Sequence, residues 1–144
     1  MKKGSTLALA VLLALSLVAC GGTKIKDGTY TAKMDAASAA ASYGWTDTLS
    51  VTYQGGKITE VDFDSFDAEG KRKSETPEYP MTAPAPAEWM PKLEENIKAT
   101  TSADKVAAVA GATNSSDNAK ALYAAVQEAA KMGKTEIVEI GAAK

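Results

Sequence analysis

The chain has 144 residues, with 16 Lys+Arg against 18 Asp+Glu, and 45% of its residues are hydrophobic. That is one domain's worth of chain with enough apolar residues for a core. A single cysteine and no histidine exclude an internal disulfide, a Cys/His zinc site and a histidine-based triad, and without a basic patch nucleic acid is not expected as a partner.

The first element is an export signal. Met1-Lys2-Lys3 is a short basic start, Leu7 to Leu15 is apolar throughout, and after Ser16 come Leu17-Val18-Ala19-Cys20. This is the charged, apolar and small-residue order of a signal peptide, here residues 1–19. The apolar run falls short of the about 20 residues needed to cross a bilayer. Leu17-Val18-Ala19-Cys20 resembles a lipobox, in which the cysteine thiol takes diacylglycerol and becomes the new N-terminus. Cys20 is therefore the expected lipidation site, with palmitate-type acyl chains holding the protein to the extracytoplasmic face of the cell membrane, or to the outer membrane of a two-membrane cell. Removing 19 residues from 144 leaves 125, and losing Lys2 and Lys3 takes Lys+Arg from 16 to 14 against 18 acids, a formal charge of −4. Residues 20–26 form a polar tether and 27–144 the domain.

Asp27-Gly28 signals a turn into a strand at 29–33, whereas 36–42, rich in small residues, is left open between loop and helical turn. Residues 48–53 alternate, with Leu49, Val51 and Tyr53 on one face. Gln54-Gly55-Gly56-Lys57 is a tight hairpin, and 58–66 returns as its partner strand. The spacing of Ile58, Val61 and Phe63 breaks period two, which predicts a bulge near Thr59 or Glu60. Asp62, Asp64 and Asp67 superficially suggest a calcium loop but lack its glycine and closing glutamate, so a solvated strand face is the reading. Residues 71–87, with Pro77, Pro80, Pro84 and Pro86, are loop. Residues 88–98 are expected as a helix with Trp89, Leu93 and Ile97 in the core. A second helix is expected from about Ser116 to Met132. Ser115 or Ser116 would be its N-cap, Ala119, Leu122, Tyr123, Val126 and Ala130 its buried face, and Gly133 its stop. Residues 135–140 read as a closing strand. The fold class is α+β: a small antiparallel sheet around a central hairpin, packed by two main helices.

The segment that carries chemistry is Gly111-Ala112-Thr113-Asn114-Ser115-Ser116. A helix's first turn exposes unpaired N–H groups with partial positive charge, so a small, hydroxyl-rich entry suits an anion or phosphate. The same residues also make an ordinary serine cap after a tight turn. Tyr43 and Trp45 have flat faces suited to a planar ligand, and equally to a core or its rim.

Val109-Ala110-Gly111-Ala112-Thr113-Asn114-Ser115-Ser116 resembles the flavin-attachment motif of the FMN-binding domain family. That family includes subunits of the sodium-pumping NADH:quinone oxidoreductase, the Rnf complex and lipoproteins of extracellular electron transfer. Asp27-Gly28-Thr29-Tyr30, Tyr43-Gly44-Trp45, Val51 to Val61 and Ser74-Glu75 occur in the order that the lipoprotein members show, so the resemblance spans nearly the whole mature chain. It implies FMN as cofactor, joined to Thr113 by a phosphoester or held without a covalent bond. Gly111, Ala112, Ser115, Ser116 and Trp45 are the further cofactor-binding residues. Ala107 and Ala110 stand where the family's motif usually has aspartate and Ser or Thr, and Glu78 where some members have glycine after Glu75-Thr76-Pro77.

The resemblance further implies an electron carrier rather than a turnover enzyme, loaded by an FAD:protein FMN transferase and exchanging electrons with neighbouring redox carriers or quinone reductases. The rival readings are an exported lipoprotein that binds a small anionic ligand at the same helix terminus, and a non-redox surface lipoprotein that has lost flavin attachment.

Overall fold

The structure is a computed structural model that describes residues 24–80 and 84–141. The expected signal peptide and Cys20 lie outside the described residues. No helix among those described is long and apolar enough to cross a membrane.

The elements follow the order β1 (Gly28–Met34), α1 (Ala36–Ala41), β2 (Thr46–Gln54), β3 (Lys57–Phe66), α2 (Pro86–Lys98), α3 (Thr113–Met132) and β4 (Val138–Ile140). The strands make one four-stranded sheet in the order β3-β2-β1-β4. Gly55 and Gly56 both take positive φ, 58° and 75°, as a two-residue hairpin twisted to match its strands requires. Past them Tyr53 faces Ile58 while Thr52 faces Glu60, which leaves Thr59 as the extra residue of the expected bulge.

Alternation then sorts the two faces. Tyr30, Ala32 and Met34 of β1, Leu49, Val51 and Tyr53 of β2, and Val61 and Phe63 of β3 are buried under α2 and α3. The other face carries hydroxyls that pair across the register, Thr29 with Thr52 at 2.8 Å and Thr31 with Ser50 at 2.7 Å. From the helices, Trp89, Leu93 and Ile97 and then Ala119, Leu122, Tyr123, Val126 and Ala130 complete the core, as their spacing predicts.

The fold is α+β, with three differences from the sequence reading and one segment that it had left open. The sheet is mixed, because β4 pairs parallel to β1; α3 supplies the crossover that a parallel neighbour needs. β4 is only Val138–Ile140, since the residues after Gly133 are spent in leaving the helix, where Lys134 N–H bonds the Ala129 carbonyl at 2.9 Å. The open segment 36–42 contains α1, nucleated by Asp35, whose carboxylate accepts the Ser38 N–H at 2.8 Å. Both main helices start early: α2 at Pro86, favoured at a first helical position, and α3 at Thr113 rather than Ser116.

Asp64 also departs from the solvated-face reading. It is 2% exposed and ion-paired to Arg72 Nε at 2.8 Å, while the same guanidinium holds Asp62. Asp67 stays at the surface and accepts from its own turn, Glu69 N–H at 3.0 Å and Lys71 N–H at 2.7 Å. No metal-binding group of carboxylates occurs among the described residues.

Candidate functional site at the head of α3

Residues 106–112 form a tight approach to α3. Gly111 takes a φ of 84° and lies so close to Pro84 that a Cβ there would stand 2.6 Å from its Cδ. Ser116 is fully buried; its Oγ accepts the Val109 N–H at 3.0 Å and donates to the Ala112 carbonyl at 2.8 Å. Its hydroxyl therefore ties the loop to the helix instead of capping it, which is why α3 begins three residues earlier than expected. The N-cap falls on Ala112, whose side chain accepts nothing. Among the described residues the N–H groups of Thr113, Asn114 and Ser115 have no acceptor, so the positive end of a 20-residue helix is left open.

This open end lines a cleft of about 380 Å³, in the size range of small-molecule sites. Gly111, Ala112, Thr113, Asn114, Ser115 and Asn118 form one wall. Ser42 and Tyr43 come from the turn after α1, Asp47 from β2, Lys73 and Tyr79 from the segment after β3, and Trp89 from α2. Thr113 itself is exposed. Of the six cofactor-binding residues expected from sequence, Gly111, Ala112, Thr113 and Ser115 line the cleft. Ser116 sits beneath it, and Trp45 stands behind Lys73.

The remaining lining residues were not singled out as ligand contacts by sequence, apart from Tyr43. Lys73 is 7% exposed, and its Nζ lies 5.0 Å from the ring centres of both Trp45 and Tyr79. These two rings meet edge to face at 5.7 Å, so Trp45 contributes by fixing the lysine between aromatic faces. Burial pushes the Lys73 ammonium below its ordinary pKa, opposed by the charges of Asp47 and Asp64. Burial likewise raises the Tyr79 phenol.

Asp47, 5% exposed, accepts from Ser65 Oγ and from Asn118 Nδ2, the latter at 2.9 Å. It thus ties β2 to both β3 and α3. Trp89 borders the cleft and is 1% exposed, and its indole Nε1 is a buried donor with no hydrogen-bond partner among the described residues. Tyr43 is 93% exposed with a left-handed φ of 58°, unusual for a bulky residue. The apolar spacing of α2 assigns Trp89 to the core, and core it is, though it also borders the cleft. A wider depression beyond the 106–112 loop, edged by Lys92, Glu95 and Asn96, has no buried unpartnered side chain among the described residues.

Comparison with known proteins gives this geometry its family. The FMN-binding domain matches residues 43–131, which contain the cleft lining from Tyr43 to Asn118. The chain is 31% identical over 134 residues to a 15 kDa lipoprotein of Treponema pallidum (strain Nichols), covering 90% of this chain and 93% of that one. It also resembles the crystal structure of CPE2226 protein from Clostridium perfringens, with a TM-score of 0.74 and 32% identity over 83% of this chain and 99% of the other. The chain belongs to the FMN-binding domain family, and FMN is its cofactor. The site fits that group: an open helix terminus for a phosphate, an exposed hydroxyl beside it, and a cleft with aromatic walls that is lined by the Lys73 side chain and by Trp89, whose buried Nε1 has no partner among the described residues.

Proposed function

We propose that this chain is a lipoprotein, anchored through Cys20 at the extracytoplasmic face of a membrane, that carries electrons on FMN attached to Thr113. The observation that carries this reading is the placing of Thr113, exposed at the first position of an uncapped helix and on the wall of an aromatic cleft. Thr113, Asn114 and Ser115 hold the phosphate through their free N–H groups. Gly111, having no Cβ, lets the loop close on Pro84 and fixes that turn. Tyr43, Tyr79 and Trp89 border the ring, and Lys73 supplies positive charge. When bound, FMN supplies the redox chemistry, while the protein supplies position and electrostatic environment. The 15 kDa lipoprotein relative supports the lipid anchor.

Attachment requires an FAD:protein FMN transferase. The Thr113 Oγ–phosphorus bond forms as the pyrophosphate of FAD breaks, and AMP leaves. Ala107 and Ala110, where the family's motif usually carries Asp and Ser or Thr, are both exposed. Their substitution therefore alters a surface that an external enzyme reads and leaves the fold intact. Electrons then pass to and from neighbouring redox carriers or quinone reductases, and the lipid tether keeps the domain concentrated near them.

The test is intact mass and in-gel flavin fluorescence of the mature chain co-expressed with a flavin transferase, beside its Thr113→Val variant. An FMN-sized increment and fluorescence that disappear in the variant are expected. An unmodified parent that also fails to retain free FMN would overturn the reading.

A further inference from the structure

A lysine that is more than nine-tenths buried needs a reason. Among the described residues Lys73 Nζ makes no hydrogen bond, and no carboxylate comes within ion-pair distance of it. The nearby carboxylates are engaged elsewhere: Asp64 with Arg72, and Asp47 with Ser65 and Asn118. The stem is what is buried; the ammonium lines the cleft, where it is partly stripped of water and, among the described residues, has no protein acceptor, an arrangement that packing alone does not call for. The surroundings instead hold it in place. Trp45 and Tyr79 flank the ammonium at equal distance, and Thr76 N–H bonds the Lys73 carbonyl at 3.1 Å, which fixes the backbone turn beneath it.

We propose that Lys73 is the cationic contact of the flavin ring in this cleft, a fixed charge that favours the reduced ring over the oxidised one and so raises the reduction potential. The inference rests on the reading that FMN occupies this cleft. On two-electron reduction the neutral oxidised ring takes up two electrons and one proton from solvent and becomes an anion. Lys73 keeps its own protons throughout and acts only through its charge. In a low-dielectric wall such a charge acts more strongly than it would in water. Because the phosphate is placed by the amides at the head of α3, Lys73, which enters from a different segment, remains for the ring.

The experiment is a spectroelectrochemical titration, with dithionite as reductant, of the FMN-loaded mature chain, its Lys73→Met variant and its Lys73→Arg variant. Thermal melts of all three are recorded alongside. Lys73→Met should lower the preference for reduced over oxidised FMN about tenfold, a midpoint about 30 mV more negative for a two-electron couple. Lys73→Arg should keep most of the parent value. Lys73→Gln, polar and uncharged, is read in the same way if the methionine variant does not fold. A neutral variant that binds FMN with the parent's midpoint overturns the role of Lys73 and leaves FMN binding standing. A parent that takes up no FMN overturns the functional reading itself, so the two failures are distinct.

Discussion

Gly111 shows how one residue ties the backbone to the site. Its φ of 84° is open to glycine and strained for a side chain, and an added Cβ would meet Pro84 Cδ at 2.6 Å. Either fault alone disturbs the loop, and together they push Gly111 away from Pro84. Gly111→Ala is therefore expected to cost about 2 kcal/mol, lowering the melting temperature by about 8 °C for a domain of this size, as read by circular dichroism. Flavin loading at Thr113 should fall with it, since the helix entry moves. A variant that melts with the parent would show that Pro84 yields freely.

The element scale is where the sequence was most and least informative. Residues 48–66 were legible almost to the residue, because period-two alternation, a Gly-Gly turn and one misplaced apolar position each have a single structural meaning. Helix identity was legible from apolar spacing. Helix starts were not, because a serine before an apolar run looks like a cap whether its hydroxyl bonds forward, as expected, or back to Ala112, as Ser116 does. The residues around Lys73 were illegible for a different reason: a lysine in a charged run gives no sign that Trp45, 28 residues earlier, and Tyr79, from the same loop, will close over it together.

α2 shows a further contact of this kind. Glu94 accepts the Phe63 N–H of edge strand β3 at 2.8 Å, covering a donor that would otherwise be left at the sheet edge. Burial raises the Glu94 pKa above its ordinary value, and the bond from Phe63 only partly opposes this. The folded chain therefore holds this proton more tightly than the unfolded one. Stability falls as pH rises from the ordinary glutamate range through the raised folded value, and levels off above it. Glu94→Gln keeps an acceptor for Phe63 without the charge. Its unfolding free energy, read by urea titration, should match or exceed the parent's at neutral pH by under about 1 kcal/mol, and the difference between them should shrink on acidification. A variant less stable than its parent at neutral pH would mean that the carboxylate's charge stabilises the edge.

At the scale of the whole molecule the cleft is a meeting point. β2, the turn after α1, the segment after β3, α2 and α3 all contribute to it, so a ligand held there touches five separate parts of the folded chain that come together only on folding. Such a ligand must stabilise the fold by mass action, by about 2.7 kcal/mol at a hundredfold excess over its dissociation constant. The form of that stabilisation separates the two modes of attachment. FMN held without a covalent bond gives a melting temperature that climbs with FMN concentration and falls back on dialysis. FMN esterified to Thr113 travels with the chain, so its stabilisation survives dilution and does not grow with added cofactor. Melts of the mature chain over a series of FMN concentrations, made with and without transferase co-expression, are expected to show the first behaviour in the unmodified protein and the second in the modified one. If transferase changes nothing while added FMN still raises the melting temperature, Ala107 and Ala110 have cost the covalent bond and the cleft works by affinity alone. If neither treatment moves the transition, FMN does not occupy the cleft that Thr113, Lys73 and Trp89 line.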